Sequence, residues 1–325
     1  ANTSLARFQA EGCALTSLDL SQNTGLERIE LWNEQNFSLT SLTLGQQPNL
    51  TYLNVGANKL TSLDVSGCPN LETLEAGYNS LNTINLSALS SLSYLDLREN
   101  DIANLDISNN TNINWLIIQQ NKNLSSINFG SNLMLETIDV YQCNLSNLDI
   151  SSVKNLIWLS AGYNDMTSLI LGDINKLIGL RLPGNNLSSL DLSHNTALTF
   201  LEIYNNNFSS LDLSYNISLN ELSARNNNLT SVNFGQITTL LQVSLGNNQL
   251  TNIDVSNNTD LDYFYIENNN LSSLDLSQNT SLESNNTSGN SSLTCIKVNQ
   301  TQFDSIPEYW NKSAYQNYST TGICD

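Results

Sequence analysis

Hydrophobic residues return along this chain in the spacing L-x-x-L-x-L every 10 or 11 residues (13 once), from Leu5 to Val298. The polar positions between them come in two alternating versions. One reads L-x-x-L-x-L-x-x-N-x-L, as in Leu50-Thr51-Tyr52-Leu53-Asn54-Val55-Gly56-Ala57-Asn58-Lys59-Leu60. The other reads x-S-L-D-[LVI]-S, as in Thr61-Ser62-Leu63-Asp64-Val65-Ser66. Together they make a unit of about 21 residues, and 14 such units can be counted. A fixed period of this kind predicts a solenoid, because one unit cannot bury its apolar face alone. Each unit holds two strand-like stretches and no helix-length apolar period, which predicts parallel sheets on two sides of a flattened coil. Leu53, Leu63, Leu105, Leu190 and Leu211 are expected inside it.

The alternation of L-x-x-L-x-L-x-x-N-x-L with x-x-L-D-L resembles the leucine-rich repeat superfamily, in particular the short bacterial class with nested half-repeats called IRREKO. The resemblance covers roughly nine tenths of the chain. It implies a right-handed coil, mostly β, of about 14 turns, with the Asn-type sheet on the concave, ligand-facing side. Low curvature is expected, since both sides of each coil are strand-like. The resemblance also implies a secreted or surface-anchored bacterial ligand binder whose ligand is set by its own surface.

Side chains alternate across a strand, so the residues before, between and after each inward L-x-L pair point outward. On the Asn-type side these outward positions are varied, as a recognition surface requires. The leading column carries Tyr52, Tyr94, Trp115, Trp158, Phe200 and Tyr263. The central column carries Asp96, Arg181, Glu202 and Tyr265, and the trailing column Arg98, Tyr141, Tyr204 and Arg225. Three of the four tryptophans fall on this side. Exposed Trp, Tyr and Arg are the residues enriched at binding hot spots, so these fourteen positions are the candidate ligand-binding residues. A protein ligand fits the mixture of aromatics with Arg and acids. A polysaccharide stacked on Tyr94, Trp115 and Trp158 is the alternative.

The Asp-type side is monotonous. Eight coils place Asp in the centre (Asp19, Asp64, Asp106, Asp149, Asp191, Asp212, Asp254, Asp275), and in all eight the residue two later is Ser. Four coils carry Thr43, Asn128, Ile170 or Asn233 instead, and there the residue two later is Gly. Such coupling points to a local bond from the carboxylate to the turn. Calcium-dependent adhesion through this column is a lower alternative. Over most of the chain the carboxylates skip every other coil, ~10 Å apart instead of ~5 Å, which lowers pair repulsion from roughly 3.5 to about 1.7 kcal/mol. A bound cation would favour the closer spacing, and calcium needs six to eight oxygens. No cofactor or metal is expected.

Composition narrows the rest. Thirty acidic against 11 basic residues give a net charge of −19, which disfavours nucleic acid and anionic membranes as partners. No apolar run approaches the roughly 18 residues of a spanning helix, so membrane insertion is not expected. The single histidine, His194, sits beside Asn195 in a turn, and no nucleophile–base or zinc pattern surrounds it. The chain does not read as an enzyme.

Cys13 and Cys143 fill the slot that holds Asn58, Asn79 and Asn100 elsewhere, and Cys68 fills its counterpart in the other half-repeat. All three are expected to be buried, inert thiols, on coils too far apart to bridge. Cys295 and Cys324 lie beyond the point where the repeat decays, with Asn285 and Thr287 in leucine slots. The solenoid is therefore expected over 1–294, and a last strand with an aromatic cap, closed by a Cys295–Cys324 disulfide, over 295–325. That bond implies an oxidising compartment. Asn2-Thr3-Ser4-Leu5 matches the half-repeat tail Asn23-Thr24-Gly25-Leu26, so the chain is expected to start inside a coil, without a cap.

Overall fold

The computed structural model describes residues 2–10, 13–32 and 38–324. It is a parallel β-solenoid that divides into two compact units, one up to Asp165 and one from Met166. In the first unit, the Asn-type strands Arg7–Gln9, Arg28–Glu30, Tyr52–Asn54, Thr73–Glu75, Tyr94–Asp96, Trp115–Ile117, Thr137–Asp139 and Trp158–Ser160 pair side by side. In the second, Gly179–Arg181, Phe200–Glu202, Glu221–Ser223, Gln242–Ser244, Tyr263–Tyr265, Ser284–Asn286 and Tyr309–Asn311 do the same. Register is strict, with Leu53 opposite Ile29 and Leu74 and with Leu222 opposite Leu201 and Val243. These inward residues form the core.

A ladder of asparagines locks successive coils. The Asn100 Nδ2 donates to the carbonyls of Ala76 (3.0 Å), Leu97 (3.0 Å) and Arg98 (3.2 Å), and its Oδ1 accepts from the Leu81 N–H at 2.9 Å. Asn58, Asn79, Asn164, Asn206, Asn227, Asn248 and Asn269 repeat this pattern. One short amide thus satisfies the backbone groups that the turn leaves unpaired.

On the Asp-type side, pairing runs in short stretches. Ser17–Asp19 pairs with Ser41–Thr43, Asn104–Asp106 with Ser126–Asn128, and Ser210–Asp212 with Ser231–Asn233. Each pair joins an Asp–Ser coil to the Gly coil that follows it, which explains the coupling in the sequence. The carboxylate accepts from the backbone N–H two residues on, at 2.9 Å for Asp19 and Asp106. The partner's glycine (Gly45, Gly130, Gly235) turns back with φ between +57° and +66°. A Cβ on it would lie 2.7–2.9 Å from the serine Cα of the preceding coil, so no other residue fits. Leu63, Leu105 and Leu211 are buried. Leu190 departs from expectation and is only half-buried.

Cys295 and Cys324 form a disulfide. Between them a short helix, Gln300–Asp304, opens on a capping box from Asn299 to Gln302. Trp310 then enters the core and donates from Nε1 to the Leu282 carbonyl at 3.2 Å. Asn317–Ser319 pairs with Cys295–Lys297. Burial pushes the Cys68 thiol up to about 11 and the Cys143 thiol up to about 12. Two of the three thiols expected to be buried depart from expectation: Cys143 is only half-buried, and Cys13 is exposed, with no preceding coil among the described residues to lie against. Among the described residues, no helix is long and apolar enough to cross a membrane.

Candidate ligand-binding face

Strand register places the outward residues of the Asn-type sheet in three rows. In the first unit their polar groups are tied to one another. The Arg28 guanidinium lies 3.4 Å from the centre of the Tyr52 ring and also bonds Glu30. The Tyr52 hydroxyl donates to Glu75 Oε1 at 2.6 Å, and Asn54 Nδ2 donates to Glu75 Oε2 at 3.0 Å. Burial, then the Glu75 carboxylate, pushes the Tyr52 phenol above its ordinary range. Asp96 holds Arg98 at both oxygens, with Nε at 2.8 Å and Nη2 at 2.6 Å from Oδ2. That contact, before any other cause, raises the Arg98 guanidinium further above its ordinary value.

The aromatics of this unit are grouped unevenly. Tyr94 and Trp115, on adjacent strands, stack with ring centres 6.4 Å apart and planes at 26°. Trp115 is 45 % exposed. Thr137 stands between Trp115 and Trp158 in the row, so the two indoles are two strands apart and do not form a pair. Tyr141 packs edge-on against Tyr163 at 5.2 Å. Tyr163 lies in the turn beyond the strand, where strand alternation does not point.

Two glycines in the trailing row, Gly56 and Gly77, open a trough of about 380 Å³. The Trp32 indole lies over Gly56 and the Arg98 stem over Gly77, at distances where a Cβ would meet them at 3.1 and 2.9 Å. Trp32, Glu75 and Tyr78 therefore belong with Asp96 and Arg98 in one site. The paired glycines were the signal for it in the sequence.

In the second unit, Arg181 Nε bonds Glu202 Oε2 at 2.6 Å, and the Arg225 guanidinium stacks on Tyr204 at 4.9 Å. Between Phe200 and Tyr263–Tyr265 lies a hollow of about 280 Å³. It exists because two short side chains, Ser223 and Ser244, occupy the central row between Glu202 and Tyr265. The hollow thus gathers five of the residues expected to bind: Phe200, Glu202, Arg225, Tyr263 and Tyr265.

The model of the leucine rich repeat family matches residues 48–102. Among solved structures, the functional domain of InlJ from Listeria monocytogenes, which includes a cysteine ladder, is 27 % identical. That match covers 91 % of this chain and 69 % of that one, with a TM-score of 0.72. The chain has the leucine-rich repeat fold, and residues 48–102 carry that family's own sequence pattern. A leucine-rich repeat protein of Leptospira interrogans shares the fold at 19 % identity, over 96 % of this chain and 94 % of that one, with a TM-score of 0.61. So does the Arabidopsis receptor kinase HAESA, solved with the peptide hormone IDA and the co-receptor SERK1, at 20 % identity over 90 % and 53 % with a TM-score of 0.62. No curated protein sequence matches the chain.

Proposed function

We propose that this leucine-rich repeat protein is a secreted or cell-surface scaffold that recognises another protein through the outward side chains of its Asn-type sheet, and that it catalyses no reaction. Within the superfamily we place it in the nested half-repeat class. One contrast carries the reading. The Asn-type face collects stacked aromatics and Arg–carboxylate pairs held in fixed geometry, whereas the Asp-type carboxylates are spent on their own turns and on the neighbouring coil. Pre-ordered aromatic and Arg groups limit the entropy lost on association. The HAESA complex is a precedent within the fold for a peptide ligand.

The test is a binding screen of the purified chain against extracellular proteins and polysaccharides, with and without a calcium chelator. A protein hit should weaken at least ~30-fold with Trp115→Ala, as expected for a central aromatic contributing ~2 kcal/mol. Asp106→Asn, on the opposite side, should leave its affinity unchanged. A polysaccharide hit, a calcium-dependent hit, or binding abolished by Asp106→Asn and indifferent to Trp115→Ala would refute the assignment.

A further inference from the structure

We propose that the hollow over Ser223 and Ser244 is the anchor site for a lysine or arginine side chain of the protein ligand. This rests on the reading of the Asn-type sheet as a protein-binding face.

The first observation is how the polar groups are used. In the first unit the carboxylates of Glu30, Glu75 and Asp96 are all engaged by neighbouring side chains. Around the hollow, the side chains of Glu221, Ser223, Gln242 and Ser244 make no hydrogen bond to any described residue. Their bonding capacity faces outward, and a ligand that covered them without replacing it would leave each one unsatisfied.

The second observation is size. At about 280 Å³ the hollow lies at the small end of ligand sites, which run to roughly 1,000 Å³. It suits one long side chain delivered by a larger partner.

The third observation is charge. Glu202 is neutralised by Arg181 at 2.6 Å. Arg225 leans onto Tyr204, on the strand away from Ser244. The carboxylate of Glu267 folds over Gly246, where a Cβ would lie 2.3 Å from Oε1. Its Oε2 is buried with no hydrogen-bond partner among the described residues. In the lining itself Glu221 balances Arg225, and Glu267, beside the lining in the trailing row, tips the field at the hollow to negative, as for the whole chain at −19. Phe200, Tyr263 and Tyr265 add aromatic rings around it, and ring faces attract a desolvated ammonium or guanidinium. An apolar anchor would bury Glu221 without compensation, and an acidic one would oppose it.

The experiment selects short random peptides displayed on phage against the intact chain at about 0.15 M salt, where long-range attraction to the acidic surface is screened beyond ~8 Å. Enriched peptides should share one Lys or Arg at a fixed position. A synthetic peptide should lose at least about tenfold in affinity when that residue becomes norleucine or citrulline. It should lose as much against Glu221→Gln, which keeps shape and removes charge, and against Ser244→Trp, which fills the hollow. Peptides blocked by Ser244→Trp but without a basic residue would overturn the proposal while leaving the face assignment intact. Peptides indifferent to both variants and lost with Trp115→Ala would do the same. Failure of the folded chain to enrich any peptide would count against the hollow and the face together.

Discussion

Asn285 should be the least comfortable residue in the core, and replacing it with leucine should stabilise the protein. It is fully buried, in register between Phe264 on one side and Trp310 on the other. Neither its Nδ2 nor its Oδ1 has a hydrogen-bond partner among the described residues. An amide buried without partners costs ~1–3 kcal/mol by mutational measures. Leucine has the same branched outline and adds apolar burial, so Asn285→Leu should gain about 2–3 kcal/mol. In a solenoid, stability is a sum of local terms, so the gain should appear in the surrounding coil. Hydrogen exchange of the amides of residues 282–298 should slow by roughly 30- to 140-fold, since ~1.4 kcal/mol is tenfold. The same exchange of side chain a few residues on supplies the control. Asn290 donates to Ile266 and Thr287 carbonyls at 3.0 and 2.9 Å and accepts from the Leu271 N–H at 3.1 Å. Asn290→Leu should therefore destabilise the same coil by ~2–4 kcal/mol. Equal signs for the two variants, or no gain at Asn285, would refute the hydrogen-bond accounting.

Gly130→Ala should lower stability by at least ~2 kcal/mol, read by urea denaturation, because it combines φ +59° with a Cβ 2.8 Å from the Ser108 Cα. Acid should loosen the Asp-type side. The Ser side chain and backbone N–H two residues on hold Asp19, Asp64, Asp106 and Asp149 below the ordinary 3.8. A depressed folded-state value adds stability that is present above 3.8 and lost as pH falls toward that lower value. Melting temperature should thus decline below about pH 4, and Asp64→Asn should flatten the decline. The Cys68 and Cys143 thiols, pushed up to about 11 and about 12, should stay protonated and resist iodoacetamide at pH 8 until the chain unfolds.

Much of this structure was legible in the residues alone, because strand alternation and a rigid repeat period decide which way each side chain points. Inward leucines, the asparagine slot and the Asp–Ser turn follow from that period, and the Cys295–Cys324 bond from where the period ends. The outward columns could be listed too, since they are the same pattern shifted by one residue. What alternation cannot decide is how far each outward side chain leans and onto which neighbour. That depends on contacts between residues about 21 positions apart and on the room left by the smallest among them. Hence Gly56 and Gly77 created a trough for Trp32 and Arg98, and Ser223 and Ser244 opened a hollow flanked by Phe200 and Tyr265. Hence also the interrupted pairing of the Asp-type side, which turns on how closely a left-handed glycine approaches the serine of the coil before it. Asn285 could be seen to break the leucine pattern. Only the packed coil showed that its amide, enclosed between Phe264 and Trp310, finds no partner there.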